Sequence, residues 1–418
     1  MRIRPATSAA QPRVLIIVQN LPVPFDRRVW LECRTLVESG YDVTVVCPQG
    51  EGTGPEQLVD GVRILAYRPY APGGSALGFV VEYAYSFLAT ARLVLWARRH
   101  GRFAVMQACN PPDIFWPLAR ILRLPDGTRF VFDHHDLCPE LFRSRFPDGR
   151  PALLEGLLFL ERMTFRTADR VISTNDSYAA IARARGRKRP EHVTVVRTGP
   201  DPQQLRRREA KPGLRRARPH LVCYLGVMGP QDGVDIVLRA ADVVVNQMGR
   251  KDVTFTLMGS GDCWGELVAE RDRLGLTEVV EMPGRVSDEV VADVFSTADV
   301  GLSPDPLNPL NDVSTMNKTM EYMSFELPVV AFDLRETRVS AADAAVYVPP
   351  GDVEAYARAV VDLLDDPQAR AEMGRRGRER VERTLAWEHQ RRGYRAVFDE
   401  LSGRDRAGSR TVRAGAEV

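Results

Sequence analysis

Short runs of consecutive apolar residues alternate along this chain with longer stretches in which apolar positions recur every three or four residues. The short runs Arg13–Asn20, Asp42–Cys47, Val105–Asn110, Arg129–Phe132 and Val171–Thr174 predict strands covered on both faces, as in a parallel sheet. Arg27–Ser39 has helical spacing and is stopped by Gly40. Between Thr198 and Pro219 the pattern gives way to Gly, Pro and Arg, and then it restarts. Strands are predicted at Leu221–Leu225, Val253–Met258, Val279–Met282, Val300–Ser303, Val329–Phe332 and Ala345–Val348, with a helix over Gly233–Met248. The expectation is an α/β protein of two doubly wound, Rossmann-like domains facing a central cleft, because such sheets bind ligands at the carboxyl ends of their strands. The domains are expected over 1–200 and 201–386, with a terminal helix over 387–402. The tail, 403–418, lacks an apolar pattern and is expected to be disordered.

Ser314–Val330, STMNKTMEYMSFELPVV, is the segment richest in chemistry. Met316, Met320 and Met323 predict one buried helical stripe, while Asn317 and Glu321 lie four apart on another face. The start of such a helix offers unpaired N–H groups and a positive dipole end, a seat for phosphate. Lys318 adds a charge there, and Glu321, one turn deeper, has the chemistry to accept hydrogen bonds from sugar hydroxyls. The plain alternative is an amphipathic helix with a solvated Glu–Lys pair. Lysine occurs only at 188, 211, 251 and 318 among 57 basic residues, which makes Lys318 a less casual choice.

Composition narrows the class. At 418 residues the chain is long for one core, and a net charge of +2 argues against a nucleic-acid partner. Two basic runs, Arg183–Arg189 and Arg206–Arg218, read as a solvated linker or as contact with an anionic membrane surface. The six cysteines show no metal-ligand spacing and suit buried thiols in a cytoplasmic protein. The apolar run near the start, Val14–Val18, is strand-like and too short for a signal peptide. Ala76–Ala97 is the most lipid-like stretch, but Glu82 and Arg92 make it a buried or interfacial helix in place of a membrane span. A cytoplasmic protein, at most peripheral at the inner face of the membrane, is expected.

Two further motifs sit at predicted strand ends. Asp26-Arg27-Arg28-Val29 opens the first helix, where Arg28 is placed to neutralise a phosphate or to pair with Asp26. Asp133-His134-His135-Asp136 ends a strand and brings two histidines to its edge, suited to proton handling or to a hydrogen bond with a sugar. A metal site is not expected, since no second cluster completes one.

Together these segments resemble the retaining glycosyltransferases of family 4, which have the GT-B fold, in the branch with D-x-R-V and H-D motifs. The resemblance implies a nucleoside diphosphate sugar as donor, no metal or other cofactor, and a glycan, lipid-linked or small-molecule acceptor, as in surface polysaccharide or lipid-linked glycan assembly. It places His135, followed by Asp136, on the donor sugar. It also implies donor contacts from Arg28, Gly226, Gly229, Arg285, Lys318 and Glu321, and a terminal helix that crosses back to the first domain. The family's Arg and Lys after the first strand of the second domain are missing here: Val227 or Met228 and Asp232 stand in their places. Lys318 and Arg28 are the expected substitutes. The first acid of the family's pair, eight positions before Glu321, is Val313, so Asp312 or backbone N–H groups of Ser314, Thr315, Met316 and Asn317 are expected to take its role. Two rivals remain: a nucleotide-sugar 2-epimerase of the same fold, using His134, His135 and Asp136, and a catalytically weak sugar-nucleotide-binding subunit.

Overall fold

A computed structural model describes residues 11–70, 76–146, 149 and 151–404. The expected tail therefore lies outside the described residues from 405 onward. The chain divides into two compact units: unit 1 holds Met1–Pro139, Gly149–Val196 and Arg391–Val418, and unit 2 holds Glu140–Asp148 and Arg197–Gln390. The division falls four residues before the expected one, at 196 in place of 200. Arg197–Pro200 is tied into unit 2 by hydrogen bonds from Arg197 N to Gln390 Oε1 and from Trp387 N to Pro200 O.

Unit 1 runs β1 (Arg13–Ile17), α1 (Arg27–Glu38), β2 (Asp42–Pro48), β3 (Glu56–Val59), β4 (Val62–Tyr67), α2 (Ala76–Arg98), β5 (Val105–Cys109), α3 (Trp116–Asp126) and β6 (Arg129–His134). Then follow α4 (Cys138–Arg145), α5 (Pro151–Thr167), β7 (Arg170–Ser173), α6 (Asp176–Ala184) and β8 (Val193–Val195). The sheet order is β3-β4-β2-β1-β5-β6-β7-β8, parallel except for the β3–β4 hairpin. Every residue of β5 is buried, as a strand covered on both faces requires. Strand order reverses between β1 and β5, which makes their carboxyl ends the switch point of this sheet.

Unit 2 runs β9 (His220–Leu225), α7 (Val234–Asp242), β10 (Val253–Met258), α8 (Trp264–Arg273), β11 (Val280–Gly284), α9 (Asp288–Thr297), β12 (Val300–Ser303), α10 (Asn317–Ser324), β13 (Val329–Phe332), α11 (Arg335–Ala341) and β14 (Ala345–Val348). The helices α12 (Val353–Asp365) and α13 (Pro367–Arg380) complete it. Its six strands are parallel in the order β11-β10-β9-β12-β13-β14, with the switch point between β9 and β12. The helix expected over Gly233–Met248 stops being α-helical at Asp242 and finishes in a wider turn over Val243–Gln247. The last helix, α14 (Trp387–Ser402), starts in unit 2 and belongs to unit 1 from Arg391. There the Tyr394 hydroxyl donates to Gln107 Oε1 at 2.7 Å, and the Tyr41 hydroxyl donates to Asp399 Oδ1 at 2.7 Å.

Candidate functional site

In unit 2 the turns after β9, β10 and β12 meet at the switch point. Gly226 N donates to Met258 O, and Gly259 N donates to Gly284 O. Gly259 has a φ of +138°, and a Cβ there would lie 1.8 Å from Gly226 O, so only glycine permits this approach. A Cβ on Gly226 would meet the Tyr224 hydroxyl at 2.6 Å and Lys318 Cε at 3.3 Å. The Lys318 ammonium lies 5.2 Å from the centre of the Tyr224 ring and 2.6 Å from Asp305 Oδ1. Both ion-pair partners are nearly buried, and the Ser303 hydroxyl donates to Asp305 Oδ2 at 2.7 Å. Asp232, in the turn after β9, accepts from Gly229 N at 2.9 Å. Burial pushes its carboxyl up to about 6, against the pull of Lys318. Met316, the residue before α10, makes no capping bond with its own side chain.

The structure thus brings Gly226 and Lys318 together and places Gly229 against Asp232. Asn317 is exposed at the first position of α10, with Glu321 half-buried one turn deeper. Thr315 and Met316 are half-buried just before it. Met320 and Met323 are buried but Met316 is not, so the expected stripe is two methionines wide. Arg285 is exposed, one residue past β11. Two expectations are corrected. Asp312 accepts from Arg335 N at 3.0 Å at the start of α11, so it caps that helix instead of facing a donor sugar. The Ser314 backbone N–H, expected to face the sugar, donates to Asn311 O at 3.2 Å, and its hydroxyl donates to Leu310 O at 2.7 Å.

In unit 1, α1 and β6 build a second cluster. Asp26 caps α1, its Oδ1 accepting from Val29 N at 3.1 Å. Arg28 does not pair with Asp26. It is buried, donating to Asp133 Oδ1 at 3.1 Å, to His135 Nε2 at 2.8 Å and to Val196 O at 2.9 Å. Its Nε also lies 3.0 Å from Glu32 Oε1, one helical turn along. The expectation that Arg28 replaces a lost phosphate-binding cation is therefore corrected: its charge is spent on carboxylates within unit 1. Gln107 Nε2 donates to Glu32 Oε2 and to Asp133 Oδ2, each at 2.7 Å. Burial, then the neighbouring Asp133, raises the Glu32 carboxyl well above its usual range. Burial would raise Asp133 as well, but His135 and Arg28 outweigh it and hold that group ionised.

His135 N and Asp136 N both donate to Asn110 Oδ1, at 2.7 and 3.0 Å, which fixes the strand end. His134 is sealed among Phe132, Phe165 and Tyr178, with ring centres 5.1 to 5.3 Å away. Burial lowers its pKa to about 3, so it stays neutral. Glu32, Cys109, Asp133 and His135 offer ligand atoms within 4.8 Å of one another, a grouping the spacing of the sequence did not reveal. The positive charge that such a set would draw from a metal is already supplied by Arg28. Of the residues missed, Glu32 was readable as the i+4 partner of Arg28, and Asp133 stands inside the quoted motif. Asp305 and Gln107 carried no local signal.

Two family descriptions match the chain: "Glycosyl transferase 4-like domain" over residues 26–199 and "Glycosyl transferases group 1" over residues 219–366. An alpha-D-kanosaminyltransferase of Streptomyces kanamyceticus is 28% identical over 155 residues, covering 37% of this chain and 38% of that protein. A GDP-mannose-dependent alpha-(1-6)-phosphatidylinositol monomannoside mannosyltransferase of Mycolicibacterium smegmatis is 31% identical over 231 residues, covering 52% of this chain and 56% of that protein. The chain thus spans about half the length of these curated relatives or less. Among solved structures, sucrose-phosphate synthase from Thermosynechococcus elongatus superposes with a TM-score of 0.76 at 16% identity, over 94% of this chain and 99% of that one. That likeness shows the fold, GT-B.

Proposed function

The chain belongs to the glycosyl transferases of group 1, and from that premise we propose that it moves a sugar from a nucleoside diphosphate sugar to an acceptor hydroxyl with retention at the anomeric carbon. The observation that carries this reading is the packing of Lys318, at the start of α10, against the Gly226 turn of the β9–β12 switch point. There the diphosphate meets backbone N–H groups, a helix start and one ammonium, donors placed where charge develops on the leaving group. Glu321 takes the ribose hydroxyls, and Arg285 lies beside the nucleobase. His135 hydrogen-bonds the sugar. No metal is needed in this reading.

The acceptor is a lipid-linked or surface glycan precursor. In support, α2 turns Val81, Tyr85, Leu88 and Leu95 outward on one stripe with Arg92 between them, while Ser86, Thr90, Val94 and Ala97 are buried on the other side. An apolar stripe carrying an arginine fits the surface of an anionic bilayer. Among the described residues no helix is long and apolar enough to cross a membrane. The basic runs contribute less than their charge suggests, since Arg185 is paired with buried Glu161 and Arg215 with Asp299. The epimerase reading loses one of its acid–base groups, because His134 is buried and neutral.

Labelled nucleoside diphosphate sugars incubated with the protein and a lipid extract test the reading. Transfer of label to lipid supports it. Donor consumption with no labelled product speaks for the epimerase, and binding without turnover for the partner subunit.

A further inference from the structure

Lys318 reaches the glycine turns of unit 2 already neutralised by Asp305, and Asp232 adds a second carboxylate beside Gly229. With Asp232 ionised, one ammonium and two carboxylates leave a net negative charge, a poor host for a diphosphate. Arg28, expected to help, is spent on carboxylates in unit 1. A further cation comes to the same turns from elsewhere in the chain. Arg145 closes α4 and lies on Glu140–Asp148, the segment that belongs to unit 2. Its Nη1 is 3.7 Å from Asp262 Oδ2, an ion pair too long for a hydrogen bond. Asp262 follows Gly261, where a Cβ would come within 2.7 Å of the Met228 backbone. Met228 N donates to Ser260 O and Cys263 N donates to Met228 O, so Asp262 rides on a turn stitched to Met228. Arg145 also acts on Asp232: burial pushes that carboxyl up, while Lys318 and, less strongly, Arg145 pull it back.

We propose that Arg145 is a binding residue for the donor's diphosphate, the second cation of a site in which Lys318 is the first. The state of its guanidinium fits that task. Its Nε is buried without an acceptor, and Arg145 makes no hydrogen bond among the described residues. A buried donor left unmet in the resting protein is accounted for by a partner that arrives with a ligand. An arginine presents five N–H donors in a fixed plane, a geometry that matches two phosphate oxygens at once. The Arg145 side chain is 29% exposed, so an anion can reach it, whereas Asp262 is 75% exposed and its charge is met mostly by water. A pair of that kind costs little to open, so Arg145 is held near the turn and can exchange Asp262 for a phosphate oxygen. Arg145 brings the group of Lys318, Asp305 and Asp232 to neutrality before any ligand binds. A cation in the last turn of α4 also suits the helix dipole, and that plainer role predicts no effect on nucleotides. The inference rests on the reading that unit 2 holds a nucleoside diphosphate at the Gly226 turn.

The test is calorimetric titration of the full chain with UDP, GDP, ADP and dTDP, and with the free nucleoside of whichever base binds. Wild-type protein is compared with Arg145→Gln, Arg145→Lys and Lys318→Ala. Arg145→Gln should lose about tenfold in diphosphate affinity, the usual worth of one charge-assisted contact, with nucleoside affinity changed by less than about twofold. Arg145→Lys should recover part of the loss, since it keeps the charge and gives up the planar fork. The fall of diphosphate affinity with added salt should be shallower in Arg145→Gln than in the wild type. A role confined to the end of α4 would move none of these readouts. Unchanged diphosphate affinity in folded Arg145→Gln, or an equal loss for diphosphate and nucleoside, overturns the proposal. If Lys318→Ala weakens the diphosphate and Arg145→Gln does not, the site stands without Arg145. If wild-type protein binds none of the four diphosphates, the reading of the site falls and takes this inference with it.

Discussion

Lys318 lies against the Gly226 turn of unit 2 in an ion pair with Asp305, so Asp305→Asn isolates the electrostatics of this site. In the resting protein the Lys318 ammonium sits 2.6 Å from Asp305 Oδ1. A phosphate on the far side of that ammonium would lie about 5 to 6 Å from the carboxylate, allowing a second contact of ordinary hydrogen-bond length. At an effective dielectric constant near 20, two unit charges at that spacing repel by about 3 kcal/mol. Screening by salt and water leaves roughly 1.4 kcal/mol, which is a factor of about ten in affinity. Asparagine keeps a carbonyl for Lys318 and an acceptor for the Ser303 hydroxyl while removing the charge. The variant should bind nucleoside diphosphate about tenfold more tightly by calorimetry. It should also melt lower, by roughly 1–3 kcal/mol of stability, because a nearly buried ammonium has lost its counter-charge. Unchanged or weaker binding in a folded Asp305→Asn protein would refute the placement of the diphosphate at Lys318.

Other outcomes follow from the same geometry. The carboxyl of Asp232 is pushed up to about 6 by burial, so affinity for a nucleoside diphosphate sugar should rise severalfold as pH falls from 7 to 5, and Asp232→Asn should flatten that slope in titrations at each pH. His134 has a folded pKa of about 3, below the ordinary 6.5, so its contribution to stability is complete above pH 6.5 and is lost as pH falls toward 3. That loss amounts to about 4–5 kcal/mol, and His134→Phe should remove much of it from the acid limb of chemical denaturation curves. Leu88→Ser with Leu95→Ser on the outward stripe of α2 should reduce co-sedimentation with anionic vesicles severalfold while leaving nucleotide binding intact.

Continuous apolar runs made the strands readable because burial on both faces leaves little room for polar residues. Val253–Met258, Val300–Ser303 and Ala345–Val348 appear with the expected limits. The β3–β4 hairpin was overlooked despite Asp60-Gly61 between alternating residues, a turn signal strong enough to have placed it. Sites were harder, because they are assembled across the sheet. Lys318 stood out by residue type, yet its partner Asp305 lies thirteen residues earlier on the turn after β12. Arg28 was misread because a helix-start arginine looks solvent-facing in sequence, whereas β6 delivers Asp133 beneath it from 105 positions away. Asp312 was displaced from its expected role by the need of α11 for a cap.

In this reading the α10 start and the Gly226 turn hold a nucleoside diphosphate. The measurement that tests it most directly is calorimetric titration of the protein with UDP, GDP, ADP and dTDP, alongside Glu321→Ala. One nucleotide should bind tightly, with affinity falling at least tenfold in the variant as the ribose contact is lost. Binding of none of the four by folded protein, or equal binding by the variant, would contradict the account and leave α10 as packing alone.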